Sequence, residues 1–234
     1  MSTPRAPAWT AVLPVKAWIR AKTRLEAPER ARAEFARAVA LDTLDTVAAS
    51  VLIGRIVIVT SEPEFSWLAA DVPSAVVLDE PPGEPTDRLN SAVRLAQDWA
   101  ARRAPTSPIV VVPADLAALT TATLDEALQR LARFDRAHVP DHRGTGTTLS
   151  AAARPDLLTP RYGPASGRAH AAAGSTPILD VDRGVRLDVD DLGDLTSATS
   201  LGLGRRARAI RLADRLADPT RTRRRTSAAI RRRP

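Results

Sequence analysis

Four short runs rich in Val, Ile and Leu, Thr10–Val15, Arg55–Thr60, Ala75–Leu78 and Ile109–Val112, alternate with longer stretches of helical periodicity. Runs of this length with few charges are strands buried on both faces, which requires helices above and below them. Pro28–Ser50 carries Phe35, Val39, Leu44 and Val47 at helical spacing with charges between. Thr86–Arg103 presents Leu89, Val93, Leu95 and Trp99 as an inner face, and Thr120–Phe134 opens with capping threonines before Leu124, Leu128 and Leu131. Strand–helix alternation specifies an α/β protein with a largely parallel sheet. After Arg136 the rhythm changes. Ala137–Pro140 and Thr147–Ala152 read as short strands around the turn Asp141–Gly146. Tyr162–Gly174 reads as a turn running into an Ala-rich helix, Val185–Val189 as a last strand and Asp191–Leu201 as a last helix.

Charge divides the chain in two. Arg205–Pro234 holds twelve Arg and two Asp, whereas residues 1–204 hold 22 basic and 25 acidic side chains. The reading is therefore one domain over 1–204 and an Arg-rich tail over 205–234, disordered at its end. Nucleic-acid binding by the domain loses its support, and only the tail could supply it. Cysteine is absent, which excludes a disulfide framework and thiolate metal sites and suits a cytoplasmic location. The three histidines, His138, His142 and His170, have no metal-ligand spacing. No apolar run is long enough to span a bilayer, and Met1–Thr10 lacks a secretory core.

Candidate functional residues cluster where strands end, the edge at which open α/β sheets bind ligands. Lys16 and Lys22, the only two lysines in the chain, follow the first strand together with Arg24. An ammonium meets phosphate oxygens as a compact point charge where Arg offers a planar fork. The loop reads either as a triphosphate clamp or as a solvated surface. It is not a Walker loop, since no Gly-rich run precedes the lysine. Asp115 follows the fourth strand, as a metal ligand or a turn residue. In Arg186–Asp191, strand alternation would put Asp188 and Asp190 on one face, which is costly without a cation between them. Asp190 or Asp191 could instead cap the next helix with support from Asp194, and both roles can coexist. Pro140–Thr148 is a Gly-Thr loop offering backbone amides and hydroxyls, and Tyr162–His170 places Ser166 at a helix N-terminus with His170 one turn on.

Taken in order, Leu-Pro-Val-Lys with Ala-Lys-Thr-Arg-Leu, Ala-Asp-Leu, Gly-Thr-Gly-Thr, Tyr-Gly-Pro-Ala-Ser with His170, and Arg-Leu-Asp-Val-Asp resemble one family across Ala11–Leu201. They resemble the guanylyltransferases of coenzyme F(420) biosynthesis, which activate 2-phospho-L-lactate or phosphoenolpyruvate with GTP. The resemblance implies a nucleotide-diphospho-sugar-transferase-like three-layer sandwich around a mostly parallel mixed sheet. It implies Mg²⁺ on Asp115, Asp188 and Asp190, phosphoenolpyruvate on Thr147, Gly163 and Ser166, and the nucleotide on Lys16, Lys22 and Arg24. It also implies transfer of the product to the next enzyme of the pathway, with a homodimer among the assemblies open to it. One motif departs from the family pattern: the usual Gly-Asp-Leu-Pro reads Ala114-Asp115-Leu116-Ala117. An Ala serves there only if the backbone needs no positive φ. Two other readings stand beside this one: a different nucleotidyltransferase of the same fold, loading a sugar phosphate or a pterin cofactor, and a nucleic-acid-binding protein acting through the tail.

Overall fold

Every residue of the first strand, β1 (Trp9–Val15), is buried, so this strand must lie in the middle of the sheet. A computed structural model describes residues 8–17, 24–25, 27–82 and 87–210. The N-terminal half winds α1 (Glu29–Ala48), β2 (Ile53–Thr60), α2 (Glu64–Leu68), β3 (Ala75–Asp79), α3 (Arg88–Arg103) and β4 (Ile109–Val111). The C-terminal half adds α4 (Thr121–Leu131), β5 (Arg136–Pro140), β6 (Thr147–Ala152), α5 (Ser166–Ala172), β7 (Thr176–Pro177), α6 (Arg183–Arg186), α7 (Leu192–Leu201) and α8 (Arg205–Ile210).

The described strands form one sheet in the order β3-β2-β1-β4-β6-β5-β7. β1 pairs in parallel with both β2 and β4, and β6 is antiparallel to β4 and β5. The chain therefore moves outward from β1 to β3, then returns to the other side of β1 as β4. That reversal makes the β1/β4 boundary a topological switch point, where the connecting loops splay apart and leave a ligand-binding crevice. Lys16 follows one of these strands and Asp115 the other.

Helices cover both faces of the sheet. Leu41, Leu44 and Val47 of α1 join Leu124, Leu128 and Leu131 of α4 on one side, against Leu13, Ile56, Ile58 and Val110. On the other side α3 meets Val12, Val57, Val59 and Val111. The inner face of α3 differs from the sequence reading. Ala92, Val93, Ala96 and Ala100 are buried, Leu95 and Trp99 only pack at the margin, and Leu89 is exposed. Small residues let this helix lie close to the sheet, and the bulky ones flank the contact. Thr120 caps α4 through a capping box with Thr123.

One other reading needs correction. Val185–Val189 is not a strand: Asp182 caps the short helix α6, and the chain then runs extended from Leu187 without a sheet partner. Gly184 permits this approach, since a Cβ there would lie 2.7 Å from the Ala118 carbonyl oxygen. Beyond the division at residue 204, Arg205–Ile210 is helical and docks on α1. Asp42 of α1 accepts the Arg206 and Ala207 amides at 3.1 and 2.9 Å, and the Arg206 guanidinium contacts it at 3.2 Å. A carboxylate from another helix thus satisfies amides that open α8, which have no partner inside that helix. Arg211–Pro234 lies outside the described residues.

Asp42→Ala should lower unfolding free energy by about 1–3 kcal/mol, the cost of leaving these donors unpaired, with proteolysis increasing near residue 205. Urea denaturation and limited proteolysis check this. Unchanged stability would mean that α8 contributes nothing to the folded domain.

Candidate active site

The carboxylate cluster forms because two non-adjacent segments are pinned together. Leu187 and Val189 are fully buried among Phe35, Val39, Leu195 and Ala198. Their alternation with half-buried Asp188 and Asp190 turns both carboxylates outward. The Val189 amide donates to the Asp115 carbonyl at 3.3 Å, setting this segment beside the loop after β4. One oxygen each of Asp115, Asp188 and Asp190 then lies within 4.8 Å of the others. The sequence-predicted triad is therefore assembled, although through an extended loop and not through a sheet strand.

The loop departure at Ala114–Ala117 is accommodated. Ala165 is the only non-glycine residue with positive φ among the described residues, so Ala114 needs no glycine. Ala117 donates its amide to the Asp115 carbonyl at 3.1 Å, a bond that a proline could not make.

The donor set suits a hard divalent cation: three half-buried carboxylates and no softer ligand in the cluster. One close guanidinium already tempers the charge. Arg24 reaches Asp190 at 3.3 Å, and His142 Nδ1 lies 3.9 Å from Asp188. Lys16 is exposed at the end of β1. Lys22 lies outside the described residues.

Thr147, Gly163 and Ser166 are gathered around His170. The His170 Nε2 accepts the Arg161 amide at 3.1 Å, which assigns the ring hydrogen to Nδ1. Nδ1 faces the Ser166 carbonyl at 2.9 Å and the Thr147 hydroxyl at 3.1 Å. The Ser166 amide donates to the Gly163 carbonyl at 3.2 Å, and Gly163 itself has a φ of 138°. A side chain at Gly163 would be strained at that φ. Burial, with the neighbouring His138 ring 5.5 Å away, lowers the His170 pKa to about 4. His170 is thus a neutral pillar for this loop.

The structure revises one part of the anion-binding expectation. The Ser166 and Gly167 amides are already bonded to Gly163 and Thr145 carbonyls, and those of Gly144 and Thr145 to Asp141. The Gly167 amide ties the two loops together, and the other three brace each loop internally.

Sequence reasoning missed several supporting residues. Asn90 on α3 clamps the loop through both amide atoms, donating to the Tyr162 carbonyl at 2.9 Å and accepting the Tyr162 amide at 2.8 Å. The Tyr162 hydroxyl meets Ser150 at 2.9 Å, and burial pushes its pKa up. Asn90 gave one signal, an amide among the alanines of an inner helix face. Asp191 caps α7 as anticipated, but Asp194 does far more than support that cap.

A doubly covered mixed sheet with carboxylates and cations at its switch point is suited to holding a nucleotide's phosphates. A protein of Desulfovibrio desulfuricans described as a nucleotide-diphospho-sugar transferase shares this fold with a TM-score of 0.64, at 18% identity, over 89% of this chain and 96% of that one. A 4-diphosphocytidyl-2C-methyl-D-erythritol synthase shares it at 0.52 and 13% identity, over 83% of this chain and 99% of that one. Residues 9–208 match the family described as "Guanylyl transferase CofC like", and the chain belongs to that family. A relative from Streptomyces coelicolor, named phosphoenolpyruvate guanylyltransferase, is 40% identical over 207 residues, 86% of this chain and 95% of its own. One of the same name from Streptomyces scabiei is 38% identical over 204 residues, covering 86% and 94%. No described helix is long and apolar enough to cross a membrane.

Asp188→Asn and Asp190→Asn should each lower cation-dependent turnover at least a hundredfold without lowering stability measured free of metal. Carboxylates at most 4.8 Å apart repel by about 1 kcal/mol per pair even at the dielectric of water, and each variant removes one charge. Steady-state rates and melting temperatures with and without Mg²⁺ test this, and wild-type turnover in both variants would leave the cluster no part in the reaction.

Because the folded state holds His170 neutral, an unfolded chain binds a proton between pH 6.5 and about 4 that the folded chain refuses. This contribution to stability is complete above pH 6.5 and falls with pH below it, by at most about 1.4 kcal/mol per unit. Urea melts from pH 7.5 to 4.5 should show a shallower acid decline in His170→Gln than in wild type. Equal slopes would contradict the assignment.

Proposed function

We propose that the protein transfers GMP from GTP to the phosphate of phosphoenolpyruvate, releasing pyrophosphate and forming enolpyruvyl-diphospho-guanosine in coenzyme F(420) biosynthesis. The names carried by relatives at 38–40% identity support the substrate pair. The observation that carries the reading is the cluster of Asp115, Asp188 and Asp190 at the switch point.

A phosphate oxygen of phosphoenolpyruvate attacks the α-phosphorus of GTP, and the bond to the β-phosphate oxygen breaks. The nucleophile is already an anion, so no general base is required. What remains for the chain is to hold two polyanions in line and to oppose their charge. Asp115, Asp188 and Asp190 would hold a divalent cation, and Mg²⁺ bound there would supply neutralisation of phosphate charge. Lys16, Lys22 and Arg24 are assigned to the triphosphate, where cations stabilise the departing pyrophosphate. Thr147, Gly163 and Ser166 are assigned to phosphoenolpyruvate, in a loop whose shape His170 and Asn90 maintain.

Pyrophosphate release across a panel of nucleotides with phosphoenolpyruvate, 2-phospho-L-lactate and a sugar phosphate tests the proposal. Turnover should require GTP and be fastest with phosphoenolpyruvate. Turnover with a sugar phosphate and none with either phospho-acid would overturn it.

A further inference from the structure

Asp194 is 3% exposed, and its carboxylate gathers donors from three directions. One oxygen accepts the backbone amides of Asp190 at 3.0 Å and Asp191 at 3.2 Å. The Arg143 guanidinium reaches the two oxygens at 2.8 and 3.0 Å. His142 Nε2 reaches Asp194 at 3.2 Å. The His142 ring thus turns its Nε2 edge to the Asp194 carboxylate. Its other nitrogen, Nδ1, is buried without a hydrogen-bond partner and lies 3.9 Å from Asp188.

A helix cap explains only part of this arrangement. Reciprocal bonds between Asp191 and Asp194 suffice to start α7. The remaining contacts reach Asp190, a member of the carboxylate cluster, and His142 and Arg143, which begin the turn leading to Thr147. The backbone on one side and the loop on the other meet at a single buried charge. Carboxylates that orient a histidine or a backbone segment beside a metal site commonly govern affinity from outside the ligand set.

We propose that Asp194 is a positioning residue, fixing the Asp190 backbone and the His142 ring so that the carboxylate cluster takes a divalent cation with the phospho-acid loop in register. This rests on the reading of the cluster as a cation site. Asp194→Asn separates the two arms, since an amide oxygen can still accept the Asp190 and Asp191 amides and one Arg143 N–H, whereas an amide nitrogen replaces the oxygen that faces His142. His142→Ala removes one arm from the other end and leaves the cap untouched.

The test uses the full chain with Mn²⁺ as probe, its dissociation constant measured by electron paramagnetic resonance, and steady-state kcat and KM for phosphoenolpyruvate. Wild type should bind Mn²⁺ and Asp188→Asn should lose that binding. Asp194→Asn and His142→Ala should each weaken Mn²⁺ binding about 10–100-fold while remaining folded by circular dichroism. The Asp194 variant should also raise KM for phosphoenolpyruvate. A lowered melting temperature with unchanged Mn²⁺ affinity and KM in both variants would reduce Asp194 to a structural cap and overturn the proposal. Failure of wild type to bind Mn²⁺, or its retention in Asp188→Asn, would instead overturn the cation-site reading and the proposal with it.

Discussion

Three carboxylates held within 4.8 Å repel one another, and the rest of the site is organised around opposing that repulsion. The opposing free energy comes from apolar burial. Leu187 and Val189 are sealed in the same cluster as Phe35 and Leu195, so the intervening aspartates cannot swing away without exposing them. The bond from the Val189 amide to the Asp115 carbonyl then joins this anchored segment to the end of β4. The sheet order makes the position meaningful, because the loop after β4 opens at the point where the chain reverses around β1.

The second half of the site rests on neutral groups. His170 and His138 are both buried, and burial lowers the pKa of each. An uncharged imidazole can brace Thr147 and Ser166 without adding a cation at the base of the loop. The same loop is clamped from α3 by Asn90. The bonds that His170 and Asn90 make to Thr147, Ser166 and Tyr162 are therefore between uncharged groups.

Much of this was legible in the chain. β1, β2 and β4 announced themselves because strands buried on both faces have little choice but Val, Ile and Leu. Asp115, Asp188 and Asp190 were found because acidic residues that follow or interrupt apolar runs are costly without a purpose. The misreadings have physical causes as well. Leu187–Asp190 alternates as a strand does, and alternation alone says nothing about a ladder partner. Leu89 and Trp99 looked like the inner face of α3, where closeness to the sheet in fact selects alanine. Asp194 obeyed a local capping rule, which hid its non-local contacts with His142 and Arg143. The two-residue strand β7 is too short to leave a pattern.

In the reaction proposed for this chain, a phosphoenolpyruvate oxygen displaces pyrophosphate from the α-phosphorus of GTP. Reaction of GTP with phosphoenolpyruvate labelled with ¹⁸O in its phosphate, followed by mass spectrometry of both products, tests it directly. All label should appear in the guanosine product and none in pyrophosphate. Label in pyrophosphate, or pyrophosphate formed with no labelled guanosine product, would rule out this displacement.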